Sequence, residues 1–194
     1  MDPQPIPEIN SPSGAIFSRD RRYRYLLWRN WYWGFGNNRV DPWLLFVGLN
    51  PSYADEVASD VTVSQIIGRA KRLGFRGLLV ANVYGYVATD PRELKKISDP
   101  RGSDNLAWIE RAARQAQSVW CGWGNGPGNN AWAVEDALRA IHPDLYCLGI
   151  TNTGHPQHPR GIPLTEQPRL YVQPAGNAVK IPPAKPKRRR AKTG

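Results

Sequence analysis

Three amides and a histidine, each placed just after an apolar run, are the residues of this chain best suited to chemistry. Asn50 closes Trp43-Leu44-Leu45-Phe46-Val47-Gly48-Leu49 and leads into Pro51-Ser52. Asn82 closes Leu78-Leu79-Val80-Ala81, and Asn125 follows Ser118-Val119-Trp120-Cys121-Gly122-Trp123. His155 and His158 share the segment Gly154-His155-Pro156-Gln157-His158-Pro159-Arg160. An amide carries both a donor and an acceptor, which is what reading the Watson–Crick edge of a pyrimidine requires. A neutral imidazole can donate to the oxyanion that develops as a base leaves its sugar. Ser52 lies beside the first amide, and Tyr53, Tyr84 and Tyr86 are placed to stack on an extruded base. A water-activating carboxylate would come from Asp55 or Asp60. Each residue has a plainer structural use as well. Asn50 could cap a turn, Asn82 could end a strand, either acid could cap a helix, and the histidines could be surface loop residues.

Other chemistries find little in the sequence. Three histidines and two cysteines are present, but no CxxC or HExxH spacing joins them, so no metal site is expected. No G-x-S-x-G elbow presents a nucleophile, and Ser52 follows a proline. The loop Gly124-Asn125-Gly126-Pro127-Gly128 precedes a helical pattern, and its amides could cradle a phosphate. It has neither the Walker lysine nor the GxGxxG spacing of a nucleotide site. No cofactor is expected.

The elements that must position these residues follow from periodicity. The run ending at Asn50 is apolar without a break and bounded by turn residues, as in a strand buried on both faces. Pro51 cannot continue a ladder. Strands are expected again at 77–83, 118–123 and 145–151. Helices are expected at about 63–73, capped by Thr62 or Ser59, at 103–117 and at 131–140. That alternation predicts an α/β fold: a three-layer α/β/α unit around a central, mostly parallel four-stranded sheet. In such a sheet the carboxyl ends share one edge, where ligand sites form. An N-terminal β-hairpin is expected from 15–17 and 23–29. The alternation of Tyr23, Arg24, Tyr25, Trp28 and Arg29 suggests an edge strand with one wet face. Trp28, Trp31, Tyr32, Trp33 and Phe35 then read as a packed lid or as a stacking surface.

Charge divides the chain. The formal net charge is +10, yet seven basic residues and no acids fall in 180–194, which leaves 1–179 at +3. Three parts are therefore expected: an extended arm over 1–13, a single domain over 14–174, and a disordered basic tail over 175–194. The tail would tether the protein to nucleic acid through counterion release. Its alternative use is as a solubilising terminus. Cys121 and Cys147 sit inside apolar runs and read as buried, reduced thiols. No apolar run is long enough to span a membrane, and 1–5 lack the features of a signal peptide. An intracellular, cytoplasmic protein is expected, with no obligatory protein partner.

With these residues in view, Phe46-Val47-Gly48-Leu49-Asn50-Pro51-Ser52 resembles the first catalytic motif of the uracil-DNA glycosylase superfamily. It is nearest the mismatch-specific and thymine-DNA glycosylase branch, which reads Gly-Ile-Asn-Pro-Gly there. Leu78–Asn82 is similar to the strand whose terminal Asn reads the base in the uracil-specific branch. His155-Pro156-Gln157-His158-Pro159 resembles the second motif, His-Pro-Ser-Pro. The order agrees over about 44–160. The wider pattern also resembles a phage and bacterial family with an Asn-Pro-Ser turn and a Gly-His-Pro-x-His-Pro segment.

The resemblance implies that Asn50 positions water, Asn82 holds the base edge, and His155, or its competitor His158, stabilises the leaving base. Asn125 and Arg160, with Lys187, Arg188, Arg189 and Arg190, would face DNA, whether duplex or single-stranded. Uracil-specific enzymes have Asp-Pro-Tyr where this chain has Asn50-Pro51-Ser52. An amide is a poor general base, and serine leaves room beside C5. Both differences point to thymine or 5-substituted uracils. The expected activity is that of a monofunctional DNA glycosylase that flips a pyrimidine and leaves an abasic site. The alternatives are a non-catalytic nucleic-acid binder using the same pocket, and a hydrolase of free nucleotides or nucleosides.

Overall fold

The computed structural model describes residues 6, 9, 11–32, 42–52, 59–128 and 130–172. Seven strands form one mixed sheet: β1 (Ser13–Phe17), β2 (Arg24–Asn30), β3 (Trp43–Gly48), β4 (Gly77–Asn82), β5 (Ser118–Cys121), β6 (Tyr146–Cys147) and β7 (Arg169–Leu170). Three helices accompany it: α1 (Val61–Arg72), α2 (Asn105–Gln115) and α3 (Asn130–Ile141). A 3-10 turn spans Pro91–Lys96.

The strand order is β1-β2-β4-β3-β5-β6-β7. The pairings of β3 with β4, β3 with β5 and β5 with β6 are parallel. Those of β1 with β2, β2 with β4 and β6 with β7 are antiparallel. The expected four-stranded sheet with an N-terminal hairpin is therefore part of one larger sheet of seven strands and mixed sense. The hairpin is fused to the sheet, because β2 pairs directly with β4. A two-residue strand exposed at both positions, β7, extends the far side. The fourth expected strand shrinks from 145–151 to Tyr146–Cys147, and its buried apolar neighbours Leu145 and Leu148 pack outside the ladder.

β2 is not an edge strand either. It lies between β1 and β4, and all seven of its residues are buried. Alternation along β2 reports its two faces, not a wet side and a dry side. Even Arg24 and Arg29 are only 3% and 8% exposed. Their guanidinium groups find partners within the fold. Arg29 Nε donates to Ser59 Oγ at 3.0 Å and Nη1 donates to the Trp28 carbonyl at 2.8 Å.

Each face of the sheet has its own core. Leu45, Val47, Leu79 and Val119 pack with Ile109 and Ala113 of α2 and Val134 and Leu138 of α3. Leu44, Phe46, Leu78 and Val80 pack with Val63, Ile66 and Ala70 of α1. Burying an aliphatic side chain of this size contributes about 1.5–3 kcal/mol, so both helix layers are held chiefly by their apolar stripes. Of the aromatic lid, Trp28 is buried and Trp31 packs on the α1-side core, its Nε1 donating to the Phe75 carbonyl. Tyr32 is exposed. Trp33 and Phe35 lie outside the described residues, as do most of the 1–13 arm and all of the tail from 173 on. Cys121 and Cys147 are free and buried. Among the described residues no helix is long and apolar enough to cross a membrane.

Candidate functional site

The site begins where β3 and β4 end. Their register places Gly48 level with Asn82, so both strands release their chains at the same height. The ladder then continues as loop bonds. The amide of Val83 donates to Gly48, that of Tyr84 to Leu49, and that of Ala88 to Pro51. Asn50 adds side-chain braces, with Nδ2 donating to the Pro51 carbonyl at 2.9 Å and to the Ala88 carbonyl at 2.7 Å. Both amide hydrogens are used on backbone, so only Oδ1 is left to meet a ligand or a water.

A cleft of about 560 Å³ opens at this edge, within the range of small-molecule sites. It brings together five residues singled out from the sequence, Asn50, Ser52, Asn82, His158 and Arg160. The carboxylate considered there, Asp60, lines it too. Asp60 is the N-cap of α1. Its Oδ1 accepts from the Val63 amide at 2.8 Å and its Oδ2 from Ser52 Oγ at 2.5 Å. The cap expected at Thr62 or Ser59 is thus supplied by Asp60, which both ends the loop and faces the cleft.

His158 is oriented from behind. The backbone amide of Arg160 donates to its Nδ1 at 3.1 Å, which places the ring proton on Nε2 in the neutral form. Burial pushes its pKa below the ordinary 6.5. The Asp60 carboxylate opposes that shift and Arg160 adds to it. The cleft therefore holds a neutral imidazole with a single N–H donor at neutral pH.

Arg24 and Phe46 are among the lining residues that the sequence reading did not single out. Arg24, from β2, is buried, and its Nη2 donates to Asn82 Oδ1 at 3.3 Å. Burial lowers its pKa to about 10, with Asp60 acting against the shift and Arg29 with it, so it remains a cation at neutral pH. Phe46 contributes an aromatic ring. Two glycines make room for that ring. A Cβ on Gly122 would stand 2.7 Å from Phe46 Cε2, and one on Gly48 3.4 Å from Cε1. Phe46 was legible as the aromatic two positions before Gly48. Arg24 carried only the signal of a charge heading the apolar run Tyr25-Leu26-Leu27-Trp28.

Other expected residues stand elsewhere. His155 is not in the cleft lining; its amide donates to Thr151 Oγ1 and its carbonyl accepts from the Thr151 amide. Tyr84 is buried, and its hydroxyl accepts from Asn130 Nδ2 at 2.9 Å. Tyr86 packs edge-on to Tyr23 at 5.5 Å, beneath the guanidinium of Arg22. Asn125 Oδ1 accepts from the hydroxyls of Thr151 and Thr153, each at 2.6 Å. Tyr53, Asp55, Lys187, Arg188, Arg189 and Arg190 lie outside the described residues. Among the described residues no three His, Cys, Asp or Glu side chains gather as a metal-ligand set.

The cleft thus offers a fixed carboxylate, a neutral imidazole donor, two amides, an aromatic ring and two arginines. That set can hold a flat, polar heterocycle and stabilise negative charge developing on it. Comparison with curated proteins and with solved structures gives no match. A family model described as "Protein of unknown function (DUF1643)" matches residues 24–160, a stretch whose first and last residues, Arg24 and Arg160, both line the cleft. The match covers more than half of the chain, which therefore belongs to that family.

Proposed function

We propose that the protein is a monofunctional DNA glycosylase acting on thymine or a 5-substituted uracil. The observation that carries this reading is the meeting, in one cleft, of Asn82, the neutral His158 and the held carboxylate of Asp60. An extruded pyrimidine would lie against the ring of Phe46 with its Watson–Crick edge on Asn82. Extrusion costs a few kcal/mol, which contacts in the pocket must offset.

In the reaction the C1′–N1 bond breaks heterolytically and its electron pair leaves with the base. The charge spreads to O2 of the pyrimidine, where Nε2–H of His158 donates. Removal of a donor of this kind lowers rates by about 10²–10³ in other enzymes. Water then adds to the cationic C1′, with one O–H donating to Asn50 Oδ1 and the other proton taken by Asp60. Ser52, in place of a bulky side chain, leaves space beside C5. The arginine-rich tail would add non-specific affinity for DNA.

The test is incubation with oligonucleotides, single-stranded and duplex, carrying uracil, a thymine mismatch or 5-hydroxymethyluracil, followed by alkali. Strand scission at the modified position is expected. Absence of scission on every substrate at stoichiometric protein overturns the activity. Selective binding of the same oligonucleotides without product would instead favour a non-catalytic base-binding module.

A further inference from the structure

Asn82 is the amide that meets the base in the proposed reaction, and its orientation is decided by a residue that need not touch the base at all. Asn82 Oδ1 accepts from Arg24 Nη2. A guanidinium has five donors and no acceptor, so the amide atom turned toward Arg24 must be oxygen. The nitrogen is then turned the other way. A Cβ on Gly48, itself a lining residue, would stand 2.9 Å from Asn82 Nδ2. Among the described residues no acceptor bonds Nδ2, which leaves both of its hydrogens for a ligand.

The rest of the frame is rigid. Asn105, buried at the start of α2, donates from Nδ2 to the Asn82 carbonyl at 2.9 Å and to the Val83 carbonyl at 3.2 Å. Arg24 is tied to the loop beyond β4 through its own amide, which donates to the Gly85 carbonyl at 2.9 Å. Its side chain is buried and charged. Turning Asn82 over would set an NH₂ group against that cation and take away the oxygen its Nη2 donates to, a costly exchange in a buried site.

We infer that Arg24 is a specificity-determining residue: by locking Asn82 with its NH₂ toward the cleft, it selects pyrimidines with a 4-oxo group against those with a 4-amino group. Uracil and thymine present an O4 acceptor beside N3–H. The locked amide donates to O4 while the second lone pair of Oδ1 accepts from N3–H. Cytosine presents a 4-amino donor beside an N3 acceptor and needs the amide reversed. Arg24 therefore acts as a positioning residue, and the inference rests on the proposed base pocket.

The experiment compares wild type with Arg24→Gln, Arg24→Met and Arg24→Lys, with folding checked by circular dichroism. Paired oligonucleotides differing only in uracil or cytosine at one position are used. Two readouts are taken: the uracil-to-cytosine ratio of kcat/KM for base release, and the same ratio of Kd by fluorescence anisotropy. Glutamine keeps a polar side chain but can accept as well as donate, so it permits both orientations of Asn82. Lysine still offers only donors. The ratios are expected to fall by at least about tenfold in the Gln and Met variants and to be largely kept in the Lys variant, since sites that hydrogen-bond a substrate group discriminate far more strongly than that. Unaltered ratios in both Gln and Met overturn the inference, as does a wild type with no preference in either readout. If wild type releases no base at all, the glycosylase reading fails by itself, and the Kd ratios decide the role of Arg24.

Discussion

Ser52 Oγ donates to Asp60 Oδ2 at 2.5 Å, tying the turn that ends β3 to the N-cap of α1. The same carboxylate holds the Val63 amide with its other oxygen. Structure and proposed chemistry therefore meet in one side chain, and substitution can separate them. Asparagine caps a helix about as well as aspartate but takes no proton, whereas alanine does neither, at a cost of about 1 kcal/mol. Asp60→Asn should keep its melting temperature close to wild type and lose base release by about 10²-fold or more. Asp60→Ala should lose both. Single-turnover kinetics beside thermal denaturation check this, and an Asn variant with full activity would remove Asp60 as the base.

Asn50 couples the two loops of the cleft through Pro51 and Ala88. Asn50→Ala leaves both carbonyls short of a donor and should destabilise the fold by about 1–2 kcal/mol. It should slow base release by about 10²-fold, the scale on which a misplaced reactant is felt. Asn50→Asp should not restore either property, since a carboxylate would face two carbonyl oxygens. Urea denaturation and kinetics of the two variants test this. If Asn50→Asp were more stable than wild type, the amide would not be a brace.

Gly48 and Gly122 keep the Phe46 ring and the Asn82 amide in place by having no Cβ. Gly122→Ala should push the ring, because Cβ would also meet Pro159 Cδ at 3.2 Å. Overpacking of this kind costs roughly 1–3 kcal/mol. Gly48→Ala should displace Asn82 and weaken uracil binding more than it lowers stability. Titration calorimetry with a uracil oligonucleotide, paired with melting curves, separates the two effects. Equal binding by wild type and Gly48→Ala would place the base elsewhere.

The buried His158 gives a pH dependence of defined sign. Its pKa in the folded protein is depressed below 6.5 by burial. On unfolding it regains the higher value, so the unfolded chain binds more protons between the two. Its contribution to stability is thus complete above about pH 6.5 and is lost as pH falls from there through the folded value. Base release should fall over the same acid range as the imidazole becomes charged. Relative to wild type, His158→Gln should flatten the acid limb of the stability profile. Denaturation curves from about pH 5 to 8 measure this, and an acid limb unaffected by His158→Gln would assign it to another group.

Much of the site was legible because strand ends announce themselves. Apolar runs stopped by Gly48-Leu49-Asn50-Pro51 and by Asn82 located two carboxyl ends, and the β3–β4 register made them level. The helices were legible from their apolar stripes, with ends off by a few residues because caps depend on side-chain geometry. The choice of histidine was not legible. Two His-Pro pairs three residues apart are equivalent as sequence, and only the folded chain puts His158 rather than His155 in the cleft lining.

The chain's own order of residues determined which strands are buried, where they stop, and that amides and an imidazole follow them. Those properties come from local hydrophobicity and from proline and glycine geometry. Tertiary structure alone decided that β2 enters the sheet interior and carries Arg24 to Asn82, a partner 58 positions away. Strand pairing is a long-range choice, made by burying Leu26 and Trp28 of the hairpin in one core and Leu27 in the other. Asn82 Oδ1 and the Asp60 carboxylate, which favour its charge, both lie far from Arg24 along the chain.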